Sequence, residues 1–364
     1  MNINAKIVLL SVSILMMIGI VMIYSSSAVY SYETLGDSLY FVKRHLIFIF
    51  IGMIAAIFCM SMSAEKMRGN VRWFFLLSLA MLILVALPGF GTLAGGARRW
   101  IRIGGFGLQP SEIAKLAVIF YLADFTGRNR YKMHHLFTGF VPSVAVISLM
   151  SLLVLLEPDL GTAVSIGVIG LVMLFASGIK LKHLFVIVLS AMPLLLLAIV
   201  SAPYRLRRVM VFFEPWNDPK GAGFQLIQSF IALGSGGIFG VGLGSSKQKL
   251  FYLPQSYTDF IYSIIGEEMG FLGAIAVLSL FFLIVFFTMR ISFKLKDVFM
   301  SRVVFGIGVM IAFESIVNIG VSVGALPTKG LPLPFISYGG SSLLVHLAAI
   351  GVILNMARHI EESD

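Results

Sequence analysis

Asp259, in the stretch YLPQSYTDFIYSIIGEE (252–268), stands immediately before an apolar run long enough to span a membrane. A carboxylate at that place either closes the helix start as an N-cap, a role Thr258 could take instead, or faces a cavity and does chemistry. Withdrawn from water, an aspartate has a raised pKa and can take a proton from a hydroxyl group. Nearby cations oppose that rise, and Glu267 and Glu268, about two turns further along, favour it. In QPSEIAKLA, Glu112 and Lys115 lie three residues apart and share one helix face. Such a pair, buried, either pins helix packing or forms the floor of an outward cavity. In EPDLGT, Pro158 breaks a helix and Asp159 can cap the next one, with Glu157 beside it.

The cations are grouped as well. Arg98, Arg99 and Arg102 surround Trp100 in GGARRWIRIGG. Arg205, Arg207 and Arg208 precede Phe212, Phe213 and Trp216 in RLRRVMVFFEPWND, and Lys220, Lys247 and Lys249 follow. The second group reads as an amphipathic segment on the membrane interface or as a phosphate clamp with an aromatic platform, and the two are compatible. The glycine-dense GSGGIFGVGLGSSKQK either cradles an anion with its N–H groups or permits close helix packing.

Several chemistries lack their residues. There is no GxxxxGK[ST], and GSGGIFG does not fit GxGxxG, so nucleotide hydrolysis is unsupported. The six histidines and one cysteine show no metal-ligand spacing. GVSVG (320–324) matches GxSxG only as letters, because it ends an apolar run rather than joining a strand to a helix. Ser341 and Ser342 in YGGSS have His346 nearby, which the pattern places inside the last helix rather than as a base. Cys59 is the lone cysteine, so there is no disulfide framework.

These groups must be positioned by membrane helices. Of 364 residues, 59% are hydrophobic and 12% charged, and the mean hydropathy is +0.98. Apolar runs recur along the whole chain, and they are continuous rather than alternating, which excludes a β-barrel. The pattern predicts an all-α polytopic membrane protein with about ten transmembrane helices, near 7–27, 45–62, 73–89, 109–126, 137–156, 160–178, 183–201, 259–289, 301–323 and 341–357. The first is read as a retained helix rather than a signal peptide. Short basic loops hold Lys66, Arg68 and Arg72; Arg128, Arg130 and Lys132; Lys180 and Lys182; and Arg290, Lys294 and Lys296. They set the cytoplasmic side, so both termini are expected inside, with a large extracytoplasmic loop (202–258) between helices 7 and 8. The outer loops, rich in Gly, Pro, aromatics and cations (Lys329 among them), need protein or a cavity to pack against. Function is expected on that face. The net charge of +10 suits anionic lipid; no basic soluble domain exists to hold nucleic acid. One integral-membrane domain over 1–364 is expected.

The ordered motifs GARRWIRIG, QPSEIAKLA, EPDLGT, FEPWNDPKGAGFQLIQS, GLGSSKQKLFYLP, TDFIYSIIGEEMG and LPLPFISYGGSS run along essentially the whole chain. Together they resemble the SEDS family (shape, elongation, division and sporulation), the group of FtsW, RodA and SpoVE, with the 218–254 linker and PTKG closest to FtsW or the sporulation paralogue. One departure is Tyr257, where the family commonly has His. The resemblance implies a ten-span peptidoglycan glycosyltransferase of the bacterial cytoplasmic membrane, at the division septum. It would polymerise lipid II on the outer face, beside a class B penicillin-binding protein, other division proteins and membrane lipids. It matches Asp259 to the family's essential carboxylate, and Arg98, Trp100, Glu112 and Lys115 to the active cavity.

The residues fit such a reaction. Joining GlcNAc O4 to MurNAc C1 needs a base on the acceptor hydroxyl, for which Asp259 is the candidate. Cations must hold the departing undecaprenyl pyrophosphate, for which Arg98, Arg99, Arg205, Arg207, Arg208 and Lys249 are candidates. No cofactor is implied beyond a divalent cation, Mg or Mn, that could share this role. An α-linked donor giving a β product inverts, so one base suffices. The competing readings are a lipid II flippase, which would need polar groups through the membrane, and a scaffold for division proteins, which would not need Asp259.

Overall fold

The computed structural model describes residues 2–87, 89–94, 97–103, 106–130, 133, 135–249, 253, 256–328 and 330–360. Lys132 and Lys329 fall outside them. The chain is helical throughout its apolar runs: α1 (Ile3–Leu35), α2 (Tyr40–Ser61), the short α3 (Ala64–Gly69), α4 (Val71–Ala86), α5 (Pro110–Arg128), α6 (Val141–Leu156), α7 (Leu160–Ala176), α8 (Leu181–Val200), α9 (Pro203–Phe213), α10 (Phe224–Gly236), α11 (Ile261–Lys294), α12 (Val298–Ser322) and α13 (Gly340–Arg358). Each of the ten expected spans falls on one of these helices. Among the described residues, seven are long and apolar enough to cross a membrane, the helix of the fifth expected span beginning with a π turn at Leu136. Val71–Ala86 and Leu160–Ala176 are apolar but shorter.

Local chemistry explains the starts. Asp159 accepts the Thr162 N–H at 3.1 Å and Asp297 the Met300 N–H at 2.8 Å, capping α7 and α12. Pro110 and Pro203 open α5 and α9, where a missing N–H costs nothing. α12 and α13 form the centre of the bundle, with 67% and 83% of their apolar windows buried against 22% for α2. Polar groups on these two helices must therefore find partners inside the protein.

Two features lie outside the ten expected spans. The segment after α4 forms an antiparallel sheet, β1 (Thr92–Ala94), β2 (Ala97–Ile103) and β3 (Phe106–Leu108), pairing Thr92 with Trp100 and Ile101 with Leu108. Alternating Arg, Trp and Ile in ARRWIRI gave a strand period too short to stand out beside long apolar runs. Ser341 at the start of α13 secures the sheet, accepting the Gln109 N–H at 2.9 Å and donating to the Gly107 carbonyl at 3.0 Å. The loop between α8 and α11 is also structured, carrying α9 and α10.

Candidate active site

Asp259 does not cap α11. The N-cap is Phe260, and no side-chain hydrogen bond closes that helix start. Among the described residues the Asp259 carboxylate has no hydrogen bond and no ion pair, and the residue keeps part of its surface exposed. Its backbone is held firmly. Asn318 of α12 donates to the Asp259 carbonyl at 3.0 Å and to the Leu331 carbonyl at 2.8 Å, joining the two loops around it. Ser337 donates to the Thr258 carbonyl at 2.6 Å. Gly330 leaves room for the carboxylate: a Cβ there would stand 3.3 Å from Oδ2. Loss of water lifts the Asp259 carboxyl to about 6, with Arg208 opposing the rise and Asp159 adding to it.

Beside this loop lies a cavity of about 570 Å³. Arg207, Arg208 and Lys220 line it, with the rings of Tyr204 and Phe224, Gln225 and Thr328. Thr328 belongs to the loop that brings Gly330 against Asp259, so the cavity and the carboxylate share one wall. Three cations and no carboxylate line it, so it suits an anion, and the aromatic rings suit a ligand with an apolar part.

The EPDLGT turn forms a second carboxylate group at this end of the bundle. The Arg99 guanidinium donates to the Glu157 carbonyl at 2.9 Å and to the Pro158 carbonyl. Asp159 is fully engaged, accepting from Thr162 and from Gln109 at 3.1 Å. Glu157 is buried, and neither carboxylate oxygen has a partner among the described residues. Burial and then Asp159 push its carboxyl up to about 8, against the pull of Arg99. Folded Glu157 thus keeps a proton that the unfolded chain releases near pH 4.5, so stability falls as pH rises from there to about 8. Glu157→Gln is expected to raise the thermal midpoint, relative to wild type, more at pH 8 than at pH 5. A difference that does not change with pH would show that Glu157 is ionised in the fold.

Three of the expected substrate contacts have protein partners and do not line the cavity. Lys249 is buried and ion-paired with Glu268 at 2.9 Å, also donating to Ser25 at 2.9 Å. Glu112 and Lys115, 2% and 1% exposed, are sealed inside the bundle and do not line the cavity. Lys115 bridges Glu112 at 2.9 Å and Glu314 of α12, and Glu314 meets His346 of α13 at 2.9 Å. The pair is buried where α5 packs against α12, and each buried charge is matched there.

The other cations divide. Arg205 turns away, stacking over Tyr204 at 5.4 Å and donating to the Ala198 carbonyl at 2.9 Å. Arg98 is exposed and Trp100 half-buried on the sheet, and no described contact joins either to Asp259. Tyr257 packs against Phe41 at 4.6 Å and near Tyr30 and Tyr338, and burial with these two phenols pushes its hydroxyl up to about 12. A residue there thus serves packing and stays neutral. Among the described residues no three His, Cys, Asp or Glu side chains converge to hold a metal ion.

Lys220, Thr328 and Asn318 escaped the sequence reading as site residues. Lys220 was visible only as one more loop cation, and Thr328 carried no signal. Asn318, a polar residue inside an apolar span, was the available clue, as was Glu314.

Comparison with known proteins fits this arrangement. The model of the family of FtsW, RodA and SpoVE, described as "Cell cycle protein", matches residues 5–362. A "Probable peptidoglycan glycosyltransferase FtsW" of Trichlorobacter lovleyi is 44% identical over 96% of this chain and 92% of its own. "Stage V sporulation protein E" of Bacillus subtilis is 41% identical over 95% and 94%. A solved structure described as "Structural coordination of polymerization and crosslinking by a peptidoglycan synthase complex" superposes with a TM-score of 0.80 at 28% identity, covering 98% of both chains.

Proposed function

The chain belongs to the family of FtsW, RodA and SpoVE, and from that premise we propose that it is a peptidoglycan glycosyltransferase that polymerises lipid II. The relatives named above support the activity, and the observation that carries the site is the unpaired Asp259 carboxylate beside a cavity lined by Arg207, Arg208 and Lys220. In this reading Asp259 takes the proton from the acceptor O4 as that oxygen attacks C1 of the donor. The C1–O bond to the pyrophosphate breaks, its electron pair leaves with the phosphate oxygen, and the cavity cations offset the charge. Inversion at C1 follows, with no covalent intermediate. The raised carboxyl of Asp259 suits this task, being ionised at neutral pH yet basic enough to accept a proton.

The protein is a multi-pass membrane protein. We place both termini on the cytoplasmic side, the cavity on the outer face, and the protein at the division septum with a class B penicillin-binding protein as its partner. The peptidoglycan synthase complex among its structural neighbours supports that partnership. The charged groups inside the bundle favour the polymerase over a flippase. Lys115, Glu112, Glu314 and His346 are paired with one another and buried, rather than lining an aqueous surface.

The test is glycan-strand formation from lipid II by the purified chain, with and without a class B penicillin-binding protein. Strands are expected from wild type. Arg207→Gln with Arg208→Gln is expected to lower kcat/KM roughly 10²–10⁴-fold, since hydrogen bonds to charged groups contribute about 1.5–3 kcal/mol each. Lipid II transport across vesicles without any polymer would instead support the flippase.

A further inference from the structure

The glycine-dense loop after α10 is neither an anion cradle nor a solvated linker. Helix α11 is interrupted at Gly270, whose φ is +68°. The loop fills that interruption. The N–H groups of Phe271 and Leu272 donate to the carbonyls of Gly237 and Ile238 at 2.9 and 3.2 Å. In return, Val241 and Gly242 donate to the carbonyls of Glu267 and Glu268 at 2.9 and 3.1 Å. Only glycine permits the approach: a Cβ on Gly240 would lie 2.2 Å from the Glu268 carbonyl oxygen.

Side chains hold the returning arm. Glu267 accepts the Lys247 N–H at 2.9 Å and the Ser246 hydroxyl. Glu268 accepts the Ser246 N–H at 3.3 Å, the Ser25 hydroxyl at 2.6 Å and the Lys249 ammonium. Two buried carboxylates thus clamp the hairpin to α11, and these backbone groups at the break find protein partners, as a non-helical segment near hydrocarbon requires.

The tip is exposed. Ile238 is 61% exposed, Phe239 80%, Val241 43% and Leu243 61%. The sequence GIFGVGLG (237–244) has no charged or polar side chain. Its level follows from α11. Between Glu268 and Arg290 that helix carries no Asp, Glu, Lys or Arg. Those residues rise about 32 Å at 1.5 Å each, close to the thickness of the hydrocarbon layer. Gly270 therefore sits at the hydrocarbon boundary, at the end where α11 meets Asp259. The tip also continues the exposed apolar surface of Phe271, Leu272 and Ile275 on α11.

We propose that residues 237–244 are a membrane anchor whose Ile238, Phe239, Val241 and Leu243 insert among the acyl chains at the cavity end of the bundle. The loop is clamped to α11, and Asp259 stands two residues before the start of that helix. The assignment stands whether or not the proposed reaction is right.

The test uses the full chain in phosphatidylethanolamine–phosphatidylglycerol vesicles. Cys59→Ser removes the only thiol, and a nitroxide is attached at Phe239→Cys. Phe271→Cys serves as a lipid-facing control and Lys220→Cys as an aqueous one. Collision with oxygen relative to a water-soluble nickel chelate is expected to be several-fold higher at Phe239 than at Lys220, in the sense seen at Phe271. Leu243→Cys should repeat the result if Phe239→Cys elutes as misfolded protein. Preferential collision with nickel would place the tip in water and overturn the anchor. Protection from both reagents would mean a second copy or another helix covers it. Protection arising only on addition of undecaprenyl phosphate would mean a prenyl-chain groove. Each of these also overturns the anchor.

Discussion

Asp259→Asn is expected to lower lipid II polymerisation by roughly 10²–10⁴-fold, the usual contribution of a positioned base, while the chain stays folded. The amide has nearly the same shape but cannot take the proton. Structural loss is not the expected cause of the effect. The carboxylate caps nothing, because α11 starts at Phe260 without a side-chain hydrogen bond. The contacts that hold residue 259, from Asn318 at 3.0 Å and through the neighbouring Thr258 carbonyl, use backbone oxygens that the substitution keeps. Gly330 also leaves space for the amide. Wild-type activity should rise with pH around 6, as Asp259 loses its proton, and then level off. Weakening Arg208 by Arg208→Gln should move that midpoint upward, because Arg208 is the cation that holds the carboxyl down. Normal polymerisation by the asparagine variant would end the general-base proposal, and a flat pH profile would place the essential proton transfer elsewhere.

The second large effect is on stability. Lys115→Met should cost about 3–5 kcal/mol, as breaking a buried ion network by removing one partner does. It leaves Glu112 and Glu314 facing each other across α5 and α12, with only His346 near Glu314. Thermal unfolding followed by size-exclusion in detergent should show an early loss of monodisperse protein. Glu314→Gln added to Lys115→Met should recover part of the loss, since one uncompensated carboxylate is removed. If the double variant is no better than the single one, the two groups are not coupled and the network does not hold α5 to α12. The cluster lies away from the cavity, so these variants act on activity through the bundle rather than through substrate contact.

The local features of this protein were written in its sequence. Apolar runs of spanning length mark the helices, because a helix in lipid needs only its own residues to satisfy its backbone. Asp159 as a cap, Pro110 as a helix start and the amphipathic α9 were equally local. The motifs together pointed to the family, and Asp259 was legible as the carboxylate at a helix start near cations.

Only the tertiary structure decided what each charged residue is for. Lys249 and Arg208 look alike as loop cations, yet one is paired with Glu268 and Ser25 inside the protein and the other lines the cavity. Lys115 shares a helix face with Glu112, but its second partner, Glu314, is 199 positions away. The break at Gly270 follows directly on Glu267 and Glu268 at the edge of an apolar run, and residues 237–242 supply the hydrogen bonds it lacks. Hydropathy records how each residue meets solvent or lipid. The partner of a charge, or of a backbone group at a break, depends on which distant segment packs against it, and no single stretch of the chain carries that information.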